Sequence, residues 1–176
     1  MNNPQEPEKY DQANLKSAVE QDYTRLRDLL AAGKWEEADE ETAQVILAVA
    51  KRKKQGWLDV ESIDNFPCED LRTIDQLWVK YSDERYGFSV QKRIYQGLGG
   101  TKNYDEKIWR AFGNNVGWME GGDWWSYKDI TFDNKAREGH FPLMAWMVWA
   151  GEWLGWVWCF RLGGLGWVGF LSRQDL

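Results

Sequence analysis

The chain has 176 residues, a net charge of −6 and an isoelectric point near 4.9. That length suits one domain with a single core, and the acidic balance argues against nucleic-acid binding through phosphate neutralisation. Two distant cysteines, Cys68 and Cys159, form neither a disulfide framework nor a metal-binding spacing, which favours a reducing compartment.

Tryptophan is the unusual component, with 13 residues concentrated in the second half of the sequence. A buried indole needs a hydrogen-bond partner for its N–H group, so ordinary core building does not call for so many. This density favours an aromatic surface or a pocket for a flat ligand. The alternative is that the tryptophans simply fill a core.

The first predicted elements are a short tail and two helices. Residues 1–13 are polar and lack the apolar core of a signal peptide, so we expect a disordered tail and no export, followed by a single domain over 14–176. A stripe of apolar residues predicts a helix over 14–32, ended by Gly33. A second helix is expected over 35–54, forming an antiparallel hairpin with the first.

The next helix is predicted from FPCEDLRTIDQLWVKYS at residues 66–82. Pro67 suits the start of a helix, where its missing N–H costs nothing, and Asp83 and Glu84 mark the exit. Apolar residues recur at three- and four-residue spacing along one face. We therefore expect a buried framework made of Leu71, Ile74, Leu77, Trp78 and Phe88.

Two further helices are shorter. Ser89 is a candidate N-cap for a helix reaching Leu98, and another helix is expected over 105–112, stopped by Gly113. Beyond it, glycines and aromatics alternate without a clear period, which predicts loops with short helical or extended pieces. Strand signals are weak, so the predicted fold class is all-α.

The apolar run at residues 141–160 is long enough to span a bilayer. Glu152 interrupts it, and a carboxylate at the bilayer centre costs about 3 kcal/mol or more. Tryptophan also prefers membrane interfaces to the hydrocarbon core. We therefore do not expect a transmembrane helix.

No set of catalytic residues is apparent, which predicts a binding protein and not an enzyme. The single histidine, His140, stands in the segment EGHFP, where it is expected to hydrogen-bond a loop backbone; the alternative is an axial ligand to a haem-type iron. The glycine pattern at 164–169 follows no predicted strand, and too few residues remain for a dinucleotide fold. No metal site is predicted.

Six segments together resemble the genomes-uncoupled-four family of cyanobacteria and chloroplasts, over roughly residues 15–142. Each segment is modest alone, but their order and spacing are specific. They are LRDLLAAGKWEEADEET at 26–42, FPCEDLRTIDQLWVKYS at 66–82, RYGFSVQ at 85–91, VGW at 116–118, WSYKDITF at 125–132 and GHFP at 139–142.

The resemblance implies a compact helical domain shaped like a cupped hand, with long aromatic loops, no catalysis and no intrinsic cofactor. It implies binding of protoporphyrin IX and its magnesium complex, and stimulation of magnesium chelatase through the large chelatase subunit in chlorophyll biosynthesis. A monomer in the cyanobacterial cytosol or the chloroplast stroma is expected. The resemblance leaves open a peripheral association with membranes.

The family's ligand cleft corresponds here to the loops at 56–68 and 113–149. A tetrapyrrole is a flat apolar disc with propionates at one edge, so it requires apolar walls and basic groups near the rim. Where family members often carry a basic residue, this chain has Met119; Lys128, Lys135, Arg137 and Arg161 are candidate replacements. The predicted porphyrin-binding residues are Trp57, Leu58, Phe66, Trp118, Trp124, Trp125, Phe141, Met144 and Trp146.

Two other functions fit the same residues. One is a tetrapyrrole carrier or sensor, for a porphyrin or an open-chain bilin, that does not act on the chelatase. The other is a protein-interaction module whose aromatic groove takes a helix or a peptide.

Overall fold

A computed structural model describes residues 15–143 together with Leu171 and Arg173. Within this part of the chain, six α-helices enclose one apolar core, and a two-stranded hairpin and a 3₁₀ turn follow the last helix, so the all-α prediction is confirmed. The elements are α1 Thr24–Ala31, α2 Trp35–Val49, α3 Val60–Asp64, α4 Cys68–Tyr81, α5 Phe88–Gly97, α6 Glu106–Val116, β1 Met119–Glu120, β2 Asp123–Trp124 and the 3₁₀ turn Tyr127–Asp129.

Helices α1 and α2 pack against each other as the predicted hairpin. Gly33 ends α1 with φ of 67°, and the next amide, that of Lys34, donates to the Leu29 carbonyl. This pattern closes a helix through a left-handed residue. The same device ends α2 earlier than predicted, because Lys51 adopts φ of 57° and the Arg52 amide donates to Leu47.

The segment before α1 is not helical, so the prediction of a helix from residue 14 is wrong. The Asp70 carboxylate of α4 accepts hydrogen bonds from the Ser17 hydroxyl and the Ala18 amide. Thr73 donates its hydroxyl to the Lys16 carbonyl. These contacts hold the segment against α4, and they override its helical periodicity.

Helix α5 begins at Phe88, one residue before the predicted cap. The Ser89 amide donates to the Asp75 carboxylate at 2.8 Å, so a side chain of α4 supplies the acceptor expected from Ser89. Gly87 is needed here, because a Cβ at this position would lie 2.8 Å from the same carboxylate oxygen and its φ is 132°. Burial raises the pKa of Asp75.

Helix α6 continues through Gly113, which was predicted to stop it. Its N-cap is Asp105, which accepts from the Ile108 amide. Gly113 is required for space: a Cβ there would lie 2.5 Å from the Trp124 ring. The helix ends instead at Gly117, which is left-handed with φ of 79°. The hairpin β1–β2 then folds back over α6.

The core is organised around Trp78 of α4. Its indole N–H donates to the Thr42 hydroxyl at 3.0 Å, so the buried ring is satisfied. The Phe141 ring stacks on it with centroids 5.9 Å apart, and Tyr86 meets Phe141 edge-on. The predicted framework is confirmed, since all five of its residues are buried: Leu71, Ile74, Leu77, Trp78 and Phe88.

Several predictions lie outside the described residues. They concern the tail at 1–13, most of the apolar run at 141–160, the glycine pattern at 164–169, and Met144 and Trp146. Within the described ranges, no helix has both the length and the apolar character that a bilayer crossing requires. Over the same ranges, no three metal-ligating side chains come together.

Candidate functional site

A cleft of about 240 Å³ opens beside the end of α6. Its lining comes from the hairpin and from the loop that follows it, both of which belong to the second loop of the predicted cleft, residues 113–149. Aromatic, apolar and charged groups converge here, as in small-molecule sites. The lining residues are Gly117, Met119, Glu120, Trp125, Thr131, Asp133, Lys135, Ala136, Arg137 and His140.

Two cations, Lys135 and Arg137, stand two residues apart on this lining. The Arg137 guanidinium donates to the Asn114 carbonyl near the C-terminus of α6, where the helix dipole favours a positive charge. Both side chains are exposed. Lys135 and Arg137 are two of the candidate replacements for the basic residue that Met119 does not provide. The cleft also carries the carboxylates of Glu120 and Asp133.

His140 lies at the inner side of the cleft and is 3% exposed. Its Nδ1 lies 2.6 Å from the Val116 carbonyl, which can only accept, so Nδ1 carries the proton. Burial lowers the pKa of His140, and the neutral ring leaves Nε2 as a buried acceptor that has no partner within the described structure. The predicted hydrogen bond to a loop backbone is confirmed.

Among the predicted porphyrin-binding residues that the structure describes, only Trp125 is on the cleft lining. Its side chain is half-buried against the core, and its amide donates to the Trp118 carbonyl. Trp124, its neighbour, faces the other way and covers Gly113 beside the Trp109 ring. Of these two neighbouring residues, Trp124 therefore packs on α6 and Trp125 lines the cleft.

Trp118 is fully buried, which leaves no ring face open to a ligand in this conformation. Its indole N–H donates to the His140 carbonyl at 2.9 Å, and its ring meets Phe112 edge-on. Phe141 is likewise fully buried between Trp78 and Phe132. The structure places both residues in the framework behind the cleft.

The first loop of the predicted cleft, residues 56–68, does not line the described cleft. Trp57 is 39% exposed, and the Arg52 guanidinium lies 5.0 Å above its ring. Leu58 and Phe66 are buried in the core. Helix α3 lies between them and was not predicted, although Asp59 accepts from the Ser62 amide as an N-cap; the Asp-x-x-Ser spacing was its signal.

Sequence reasoning also missed a clamp on the cleft-forming loop. The buried carboxylate of Asp39 in α2 accepts from the Tyr127 hydroxyl at 3.2 Å and from the Leu143 amide. Burial and the nearby Asp39 charge raise the pKa of Tyr127. Asp39 thus holds both ends of the loop 127–143 against α2. These two contacts fix the position of the loop that carries Lys135 and Arg137.

The chain matches the sequence pattern of a known protein family. The GUN4-like family pattern matches residues 16–156, which is most of the chain. The chain belongs to the GUN4-like family. The resemblance to the genomes-uncoupled-four family is therefore confirmed. The matched range contains the cleft, α3 and the loop 127–143.

Curated relatives of this GUN4-like chain include the Ycf53-like protein of Synechocystis sp., 35% identical over 133 residues that cover 74% of this chain and 54% of that protein. The chloroplastic tetrapyrrole-binding protein of Arabidopsis thaliana is 35% identical over 97 residues, covering 54% of this chain and 34% of that protein. The chain thus spans about half the length, or less, of these relatives.

The solved structures that resemble this GUN4-like chain include GUN4 from Chlamydomonas reinhardtii, with a TM-score of 0.69 and 24% identity. The alignment covers 91% of this chain and 93% of that one. At this identity the similarity supports the helical fold.

Proposed function

We propose that this protein binds a tetrapyrrole. The observation that carries the proposal is the cleft in which Trp125 and Met119 stand with the cations Lys135 and Arg137. A porphyrin presents an apolar face and two carboxylates at one edge. In this cleft Trp125 is the partner proposed for the face, and Lys135 and Arg137 are the partners proposed for the carboxylates. The chloroplastic relative named as a tetrapyrrole-binding protein supports the same ligand class.

The ligand proposed is protoporphyrin IX or its magnesium complex, held by apolar walls and rim cations. Burying about 400 Å² of apolar surface supplies roughly 10 kcal/mol before association costs. That leaves room for micromolar affinity without a bond from a protein side chain to the metal. Trp57, in the first loop of the predicted cleft, has an exposed ring.

We further propose that the ligand-bound protein stimulates magnesium chelatase by contacting its large subunit. The protein would act as a monomer in the cytosol of a cyanobacterium or in the stroma of a plastid, without catalysis of its own. Family membership supports this role. The chelatase contact itself has no readable motif in the described residues.

A titration tests the binding proposal directly. Purified protein is titrated with deuteroporphyrin and with its magnesium form, while tryptophan quenching and the shift of the Soret band are followed. Saturable quenching in the micromolar range is the expected result. Absence of quenching at tens of micromolar ligand would overturn the proposal. Addition of the protein to a magnesium chelatase assay then tests the stimulation separately.

A further inference from the structure

Arg173 holds a segment that is distant in the sequence. Its guanidinium donates to the Ile63 carbonyl and to the Phe66 carbonyl, both at 2.7 Å. Leu171, two residues earlier, is fully buried in the core. Lys92 of α5 donates its ammonium to the Arg173 carbonyl. The arginine is thus fixed at its backbone and spans two carbonyls with its planar fork.

The segment that Arg173 holds is residues 58–66, which contains α3. A helix of five residues is too short to be stable alone, so its position depends on contacts outside it. The inner contacts are Leu58, Ile63 and Phe66, each no more than 3% exposed. Arg173 supplies an outer contact at the C-terminal end of α3, where a cation suits the helix dipole.

The segment belongs to the first loop of the predicted cleft, residues 56–68, and it does not line the described cleft. Trp57 is exposed at its edge, but Leu58 and Phe66 face the core and offer a ligand no surface. The described cleft, at about 240 Å³, is below the roughly 300–1,000 Å³ of most small-molecule sites. A tetrapyrrole that contacts both loops of the predicted cleft therefore requires residues 58–66 to move outward.

We propose that Arg173 is a latch that keeps the segment 58–66 closed and so lowers the affinity for tetrapyrrole. The inference rests on the proposed function. A ligand that binds only the open form has an apparent affinity reduced by the fraction of molecules that are open. Two charge-assisted hydrogen bonds favour the closed form, and their removal increases the open fraction.

The test compares R173A and R173K with the wild type and with a control, R25A. Lysine keeps the charge but cannot span both carbonyls, so the pair separates the geometry of the latch from electrostatic attraction of the propionates. Arg25 pairs with Glu41 on the exposed surface of the α1–α2 hairpin. Each protein is titrated with magnesium deuteroporphyrin, and hydrogen exchange is measured over residues 60–66 without ligand.

Both Arg173 variants are expected to exchange faster over 60–66 and to bind about three- to tenfold more tightly, while R25A matches the wild type. Unchanged exchange, unchanged affinity or weaker binding in the variants would each overturn the latch. Equal binding by wild type and variants overturns the latch alone. Binding by none of the proteins overturns the proposed function as well, and binding by the variants only supports both.

Discussion

The imidazole of His140 donates from Nδ1 to the carbonyl of Val116, the last residue of α6, across 2.6 Å. This bond joins the end of a helix to the turn that precedes Phe141 in the aromatic core. It also fixes the tautomer, because a carbonyl accepts and does not donate. His140 is therefore neutral in the folded protein, and its Nε2 atom is unprotonated.

The neutral state of His140 predicts a pH dependence of stability. Burial lowers the pKa of this group below its ordinary value of 6.5, so the unfolded chain binds the proton more readily than the folded protein. Stability is then fully present above pH 6.5 and is lost as the pH falls from there towards the folded pKa. We expect the free energy of unfolding to decrease between about pH 7 and 5.5.

Chemical denaturation of the wild type and of H140N over this pH range checks the prediction. Asparagine keeps a donor near the position of Nδ1 but does not titrate, so subtracting its profile removes the contribution of the carboxylates. The free energy of unfolding of the wild type, measured relative to that of H140N, should increase as the pH rises. A difference that is flat across the range would contradict the assignment.

Gly113 of α6 and Gly97 of α5 test whether the space around a helical glycine limits its replacement by alanine. Alanine at 113 gains helix propensity, but its Cβ would lie 2.5 Å from the Trp124 ring, so G113A should lose about 1–3 kcal/mol of stability by overpacking. Position 97 has nothing within 4 Å of the added Cβ, and G97A should be neutral or up to about 1 kcal/mol more stable. Thermal unfolding of G113A and G97A measures the two effects. Equal stabilities of the two variants would contradict the predicted clash with Trp124.

Trp125 and Trp118 separate ligand binding from folding. W125A removes an aromatic face from the cleft lining, and we expect porphyrin affinity to weaken by about 1–3 kcal/mol with the helical signal retained. W118A empties a fully buried position and should instead cost about 3–5 kcal/mol of stability. Porphyrin titration and circular dichroism are measured on both variants. Unimpaired binding by W125A would remove Trp125 from the site.

Local patterns in the sequence predicted five of the six helices, but they missed α3 and the C-terminal ends of α2 and α6. The three- and four-residue spacing around Ile74 and the turn at Gly33 are contacts within a few residues. The predictions failed at the segment before α1 and at the start of α5, because carboxylates of α4 decide both. Those partners are distant in the sequence, and no local pattern carries them.

The candidate site was predicted only in part for the same reason. The sequence indicated which loops carry aromatic and basic residues, but not which faces they present. Trp124 and Trp125 are neighbours, yet one covers Gly113 and the other lines the cleft. Arg137 could be placed only once its bond to the end of α6 was known. The orientation of a loop is set by tertiary contacts such as the Asp39 clamp.

Ile74 tests whether the helix α4 is framework and not a ligand contact. Its side chain is fully buried at the centre of the core, so I74A should lower the free energy of unfolding by about 2–5 kcal/mol. Porphyrin affinity of the folded fraction should stay at the wild-type value. Urea denaturation and ligand titration measure the two effects. A variant of unchanged stability that no longer binds porphyrin would reverse the assignment.

The metal preference follows from the position of His140. Magnesium in a porphyrin is a hard cation that takes an axial oxygen, often from water, and needs no protein nitrogen. Nδ1 of His140 is engaged with Val116, and Nε2 is buried, so neither reaches a ring metal while the turn is folded. Metal-free and magnesium porphyrins should both bind, the magnesium form equally or somewhat more tightly, and H140N should retain both. If ferric haem bound far more tightly and its Soret shift vanished in H140N, the histidine would be an axial ligand and the protein a haem sensor.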